Sequence, residues 1–290
     1  MNQETQRGER AEASGNLPEA TWQSPETRKR LLAFLDKVAQ KCDLPTPPKV
    51  ADRAIQLTRD PRVRTAEVAR VIASDTALAA QVLRISGSAT YLGRRDPPRT
   101  LEDAITTVGF QIVRRILIVA ASRSVYLVGD RVGEVLWEHA LATALAADEI
   151  GQVTGESRGG MGFIAGLLHD VGKLVFHLAD AAAFTCLPFF DEQGEKNLFG
   201  VTHAEAGSYL TETWGIEPAV AKAISEHHVR PVCLGLAGTV ATADWIAHQI
   251  GFGSVQAEIG PLETIDEPVD LVAVVERVAK AFEAERAFFN

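Results

Sequence analysis

Residues 163–176 read FIAGLLHDVGKLVF, a run in which His169, Asp170 and Lys173 interrupt apolar residues and glycine. Burying an imidazole, a carboxylate and an ammonium costs several kcal/mol unless they are paired, hydrogen-bonded or metal-bound. Further candidates stand elsewhere in apolar or small-residue segments: His139, His203, the pair His227-His228, and Asp244 between Ala243 and Trp245. Neutral imidazoles and carboxylates suit zinc, iron and manganese. Two such ions about 3.5–4 Å apart activate water against phosphate esters. Each residue also has a plainer reading. Asp170 and Lys173 at i,i+3 can form an internal ion pair, Asp244 can be a lone hydrogen-bonded carboxylate, and His227-His228 can favour a helix C-terminus. His177 and His248, in apolar settings without an evident acidic companion, are expected to be core histidines bonded to backbone carbonyls.

The elements that must position these residues all read as helices. Apolar spacing predicts helices over 31–41, 104–127, 132–150, 162–180, 218–228, 235–251 and 267–289, with shorter ones opened by Thr65 and by Asp75 as N-caps. TLED at 100–103 and THAE at 202–205 read as capping boxes, the second placing His203 in a first helical turn. On one continuous wheel for 162–180, Ile164, Leu167, Leu168, Val171, Val175 and Leu178 share a side. Gly162, Gly166, His169, Asp170 and Lys173 share the other, so the glycines are expected to leave room for a ligand. The Pro-rich 44–49 is a stop, and no internal repeat or low-complexity block is present. Residues 1–26 are expected to be a disordered tail.

The 290 residues carry a net charge of −9, divided unevenly: residues 26–131 are net +8 and residues 132–290 net −15. Such a split favours mutual docking of the halves or an anionic partner for the first. Docking would bring several of Arg94, Arg95, Arg99, Arg114, Arg115 and Arg123 near carboxylates of the second half. Three separated cysteines without CxxC spacing suit a reducing compartment. No signal peptide is evident, and apolar stretches such as 116–121 read as too short to span a bilayer, so a cytoplasmic protein without membrane attachment is expected. No helix carries a Lys/Arg stripe dense enough to track nucleic acid.

The order His139, His169-Asp170 within LLHDVGKL, His203, His227-His228, Asp244 resembles the HD superfamily of metal-dependent phosphohydrolases. LPTPPKVADRAIQLTRDP, VARVIASDTALAAQVLRISGSATY, TLEDAITTVGFQIVRRILI and FIAGLLHDVGKLV together resemble its HDOD branch, the HD-related output domain of bacterial signalling proteins. The resemblance implies an all-α fold, with an N-terminal helical subdomain over 27–130 packed on an HD-like bundle over 131–290. Residues 27–252 together resemble one HDOD domain. It implies one or two divalent ions (Fe, Mn or Zn), the first on His139, His169, Asp170 and Asp244, the second on His203 with one or both of His227 and His228. In an enzyme, Asp170 and Lys173 would be catalytic, with Lys173 at the mouth facing a phosphate. It also implies a signalling output or scaffold module that retains the metal site without turnover, acting on a signalling protein or a small phosphorylated ligand; the alternative is a phosphohydrolase of nucleotides or other phosphate esters. The chain departs from relatives at VRPVCLGLAG after His228, where the GYP-type segment of cyclic-dinucleotide phosphodiesterases is missing, at Thr76 in place of Pro, and at Gly87 in place of Asn.

Overall fold

Ser24 ends the polar N-terminal stretch by accepting a hydrogen bond from the Thr27 amide, and Pro25 stands in the first turn of the helix that follows. That helix begins inside the segment expected to be tail. The computed structural model describes residues 24–88, 92, 96–127, 129–154, 160–188, 191–229, 235–252 and 271–289; the rest of the expected tail lies outside them. The helices in chain order are α1 Pro25–Ala39, α2 Lys49–Leu57, α3 Thr65–Ala73, α4 Thr76–Ser86, α5 Leu101–Tyr126, α6 Arg131–Thr154, α7 Met161–Leu168, α8 Val171–Ala179, α9 Ala181–Thr185, α10 Glu192–Phe199, α11 His203–Thr213, α12 Pro218–Glu226, α13 Leu236–Gln249 and α14 Leu271–Phe289. The fold is all-α, and no strand occurs among the described residues.

Helices α2, α3 and α4 pack around α5, which in turn meets α6 and α7. Around α6 lie α7, α13 and α14; α8 sits against α11, and α12 joins α11 to α13. Ala140, Ala142, Ala144, Ala146 and Ala147 are all buried on α6, so neighbouring backbones approach it closely. One apolar cluster runs from Leu31 of α1 to Phe282 of α14. Two helical stretches, Leu101–Tyr126 and Met161–Ala179, are long and apolar enough to cross a membrane by length and composition, which corrects the expectation that none is. The second is 83% buried and faces the protein core.

Three local expectations change. Arg64, not Thr65, occupies the N-cap of α3, with its guanidinium 3.2 Å from Glu67 in the first turn. Helix α5 is kinked at Gly109, whose φ of 81° and ψ of 164° only glycine adopts without strain. The helix expected over 162–180 is two: α7 ends at Leu168, Asp170 takes φ −102° and ψ 10°, and α8 begins at Val171. Both sides of the expected wheel are therefore buried.

The glycines do not open a cavity. A methyl at Gly166 would lie 2.8 Å from the Thr143 carbonyl oxygen, and one at Gly162 would lie 3.1 Å from that of Ala147, so both admit α6 closely. Gly172 does the same for α11, because a methyl there would overlap the His203 carbonyl oxygen. Gly172→Ala should consequently push α8 off α11 and cost at least about 1–3 kcal/mol, read as a lower urea midpoint with unchanged m-value. An unshifted midpoint would show that the two backbones can part freely.

Of the arginines expected to face acids of the second half, Arg115 does so among the described residues, 2.7 Å from Asp148. Arg114 donates to the Thr58 hydroxyl and carbonyl in its own half, and Arg123 lies near Arg84, which with burial lowers its pKa. Arg99 is exposed; Arg94 and Arg95 lie outside the described residues. Arg59 adds one bridge across the halves, 3.6 Å from Glu217.

Candidate metal centre

The break between α7 and α8 turns His169 and Asp170 inward together, toward side chains from α6, α11 and α13 and from the turn after α12. His139, His169, Asp170, His203, His227 and Asp244 are buried, and His228 is half-buried. Facing ligand atoms of His139, His169 and Asp244 all lie within 4.8 Å of one another, as do those of Asp170, His203, His227 and His228. Asp170 joins the groups: its Oδ2 lies 3.5 Å from His139 Nε2 and 3.4 Å from His169 Nε2, its Oδ1 3.3 Å from His203 Nε2 and 4.0 Å from His227 Nε2. The structure thus brings together all seven residues singled out in the sequence.

The outward nitrogens fix the chemistry of the inward ones. Nδ1 of His139 lies 2.8 Å from the Phe252 carbonyl, that of His169 2.8 Å from Gly166 O, and that of His227 2.6 Å from Ile224 O. A carbonyl only accepts, so each Nδ1 carries the proton and each Nε2 of a neutral ring presents a lone pair inward. His203 is held likewise by Glu195, whose carboxylate accepts from both the His203 amide and Nδ1–H at 2.8 Å.

This arrangement fits a cation. His139 Nε2 and His169 Nε2 are 3.2 Å apart, and with both Nδ1 atoms donating outward two neutral rings would set lone pair against lone pair, which a cation or a proton between them relieves; His203 Nε2 and His228 Nε2 are 3.0 Å apart. Asp170 Oδ1, Asp244 Oδ1 and His227 Nε2 are buried and have no hydrogen-bond partner among the described residues. Divalent zinc, iron or manganese would be held by His139, His169, Asp170 and Asp244 in one group and by Asp170, His203, His227 and His228 in the other.

Without metal, protons take that role unevenly. Burial lowers His169, but the Asp170 and Asp244 carboxylates more than offset it and push its pKa up to about 10. Burial, with His169 and His203 nearby, drives His227 down to about 3, and burial with His227 and His203 holds His228 well below its usual value. Burial lowers His139 despite Asp244. Burial would raise Asp170 and Asp244, yet His169 and Lys173 beside the first, and His139, His169 and His248 around the second, hold both well below the carboxylate range.

Lys173 departs from expectation. It is 1% exposed, and its Nζ donates to Asp170 Oδ2 at 2.7 Å instead of standing at a mouth. His177 and His248 both have the acidic companions not seen in the sequence. His177 Nε2 is 2.5 Å from Asp130 Oδ2; His248 Nε2 is 3.4 Å from Asp244 Oδ1, with its ring 4.8 Å from that of His139. The i,i+4 spacing of Asp244 and His248 was a legible signal for that pair. Glu195 was missed because it sits in a charged stretch, DEQGEK, that resembles a solvated face.

Glu195→Gln tests that last contact. Glutamine keeps one oxygen that can accept from the His203 amide and Nδ1–H, but it lacks the charge and the second accepting oxygen that Nδ1–H also meets, so the ring is held less firmly. Metal bound per chain should fall, with stability lower by roughly 1–3 kcal/mol. Elemental analysis at wild-type metal content would reduce Glu195 to a packing role.

The family model described as the HDOD domain matches residues 44–230. The fold is similar to the crystal structure of an HDOD domain protein with unknown function from Geobacter sulfurreducens, with 24% identity, a TM-score of 0.64, and coverage of 89% of this chain and 93% of that one. It is also similar to a candidate metal-dependent phosphohydrolase from Shewanella amazonensis SB2B, with 20% identity, a TM-score of 0.60, and coverage of 88% and 98%. At these identities the likeness concerns the fold. In sequence, an uncharacterized protein of Treponema pallidum (strain Nichols) is 26% identical over 216 residues, 71% of this chain, which spans 41% of that relative's length.

Proposed function

The chain belongs to the HDOD family, and on that premise we propose that it is a cytoplasmic signal-transduction module built around a buried metal centre that it does not use for turnover. The observation that carries this reading is Lys173. The cation that a phosphate would need is sealed in the core and committed to Asp170 at 2.7 Å, among ligands of which only His228 is more than marginally accessible. A divalent ion in this setting supplies fixed positive charge that ties α6, α7, α11, α12 and α13 together. Its presence or absence then sets how firmly those helices pack, which a signalling protein or a small phosphorylated ligand can sense. The free thiols of Cys42 and Cys186 support the reducing compartment.

A second reading, hydrolysis of a nucleotide or other phosphate ester, is favoured by one feature: the two ligand groups meet at Asp170, as a pair of ions acting on one phosphate requires. Protein loaded with manganese, iron or zinc should show no turnover of phosphomonoesters, cyclic dinucleotides or nucleotides above that of an Asp170→Ala variant. Robust hydrolysis by the wild type, abolished in the variant, would replace the first reading with the second.

A further inference from the structure

The positive charge of the first half is not consumed by docking, and part of it lines a cleft away from the metal centre. Arg30, Ala33, Phe34, Lys37, Val38 and Lys41 form one stripe of α1 and the turn after it, at i, i+3, i+4, i+7, i+8 and i+11. Facing them are Ala179, Asp180 and Ala183 at the α8–α9 junction and Leu198, Phe199 and Gly200 at the end of α10. The cleft is open to solvent on one side and has a volume of about 450 Å³, within the range of roughly 300–1,000 Å³ typical of small-molecule sites.

Three cations face one carboxylate there. Asp180 Oδ1 is occupied capping α9 through the Ala183 amide. Arg30 makes only a long contact of 3.9 Å with Glu26, on an exposed pair, and a bond to the Thr27 hydroxyl. Lys41 donates to the Ala179 carbonyl, and among the described residues Lys37 pairs with no carboxylate. Helical rise separates Arg30 from Lys37 by roughly 10 Å and Lys37 from Lys41 by roughly 6 Å, a span longer than one phosphate. The rest of the cleft is apolar. Leu198 is 53% exposed, and Phe199 is partly exposed although one face stacks on Phe176 at 4.4 Å and 7°.

We propose that this cleft binds a nucleoside polyphosphate, its phosphates along Arg30, Lys37 and Lys41 and its base against Phe199 and Leu198. A base offers a flat π-face for Phe199, and adjacent phosphates offer charge at more than one point of the stripe. The cleft lies apart from the metal centre but shares helices with it, so occupancy of one is linked to occupancy of the other. Phe199 lies one turn beyond Glu195 on α10, which holds His203, and Phe176 lies on α8 with Lys173. This gives the small phosphorylated ligand of the signalling reading a place and a class.

The test uses the full chain stripped of metal with EDTA, so that phosphate cannot bind at the histidine cluster. Calorimetric titration with ATP, pyrophosphate and adenosine at low salt is expected to give binding in the order ATP, then pyrophosphate, with adenosine weakest, and ATP affinity should fall as salt rises. Lys37→Glu with Lys41→Glu, two exposed changes, should weaken ATP about tenfold or more while leaving the circular dichroism spectrum intact. Absence of ATP binding to the folded, metal-free wild type, or equal binding by the charge-reversed variant, would overturn the proposal; loss of metal binding elsewhere in the molecule would not.

Discussion

An Asp170→Ala variant should hold no metal at either ligand group and, losing both the ion and a buried ion pair, should melt on the order of 20 °C below the metal-loaded wild type. Asp170 presents one oxygen to each group, so its removal takes a ligand from both. It also leaves Lys173 buried without the carboxylate that Nζ meets at 2.7 Å. Breaking a buried ion pair from one side costs roughly 3–5 kcal/mol, and in a chain of this size each kcal/mol shifts Tm by about 2–4 °C. Asp170→Asn separates the contributions. The amide fills the volume and can still accept from Lys173, so part of the stability should return while the metal does not. Differential scanning calorimetry with elemental analysis on all three proteins reads both effects. An Asn variant that regains full metal content would mean that the carboxylate charge is not what holds the ion.

Much of the centre was legible because its residues break local rules. An imidazole-carboxylate pair in the middle of an apolar run, histidines at helix ends and an aspartate beside Trp245 all needed an explanation that propensity alone does not give. What was not legible depended on the path of the chain between elements. A single wheel over 162–180 assigned Gly162 and Gly166 to a ligand face, because nothing in FIAGLLHDVGKLVF announces the break at Asp170. The two glycines turned out to serve the contact with α6. Lys173 was placed at a mouth by likeness, whereas the turn at Asp170 directs it onto its own carboxylate. Glu195 reaches His203 across the turn between α10 and α11, eight residues away, a spacing that no helical or strand periodicity marks. The N-cap at Asp75 and the capping box at Thr202, each set by nearest neighbours, matched the sequence reading, whereas the box expected at TLED forms only its first half, Thr100 accepting from the Asp103 amide.

Metal removal should have the second large effect, and its size should depend on pH. An ion bound only by the folded state at about a thousandfold excess over Kd contributes about 4 kcal/mol, so stripped protein should melt on the order of 10 °C lower. In that stripped form His169 has a folded pKa of about 10 against an unfolded value near 6.5, so its contribution is complete below about 6.5 and is lost as pH rises through about 10. His227 acts in the opposite sense. With a folded pKa of about 3, it withholds a proton that the unfolded chain takes up, and stability falls as pH drops below about 6.5 toward 3. Asp170 and Asp244, held below the carboxylate range, add a further acid loss once the pH drops below about 3.8, the unfolded value. Metal must displace the His169 proton, so affinity should rise with pH up to about 10 and loading near neutrality should release protons. Titration calorimetry in buffers of different ionisation enthalpy measures that release. Loading without proton release would show that His169 is not a ligand.

The claim beneath these expectations is that the seven residues around Asp170 hold metal. Anomalous scattering from crystals of the protein reconstituted with manganese, iron or zinc tests it directly. The account predicts anomalous density among His139, His169, Asp170 and Asp244, with any second ion among Asp170, His203, His227 and His228. Crystals of fully reconstituted protein with no anomalous density between those side chains, and only protons or water joining them, would contradict it.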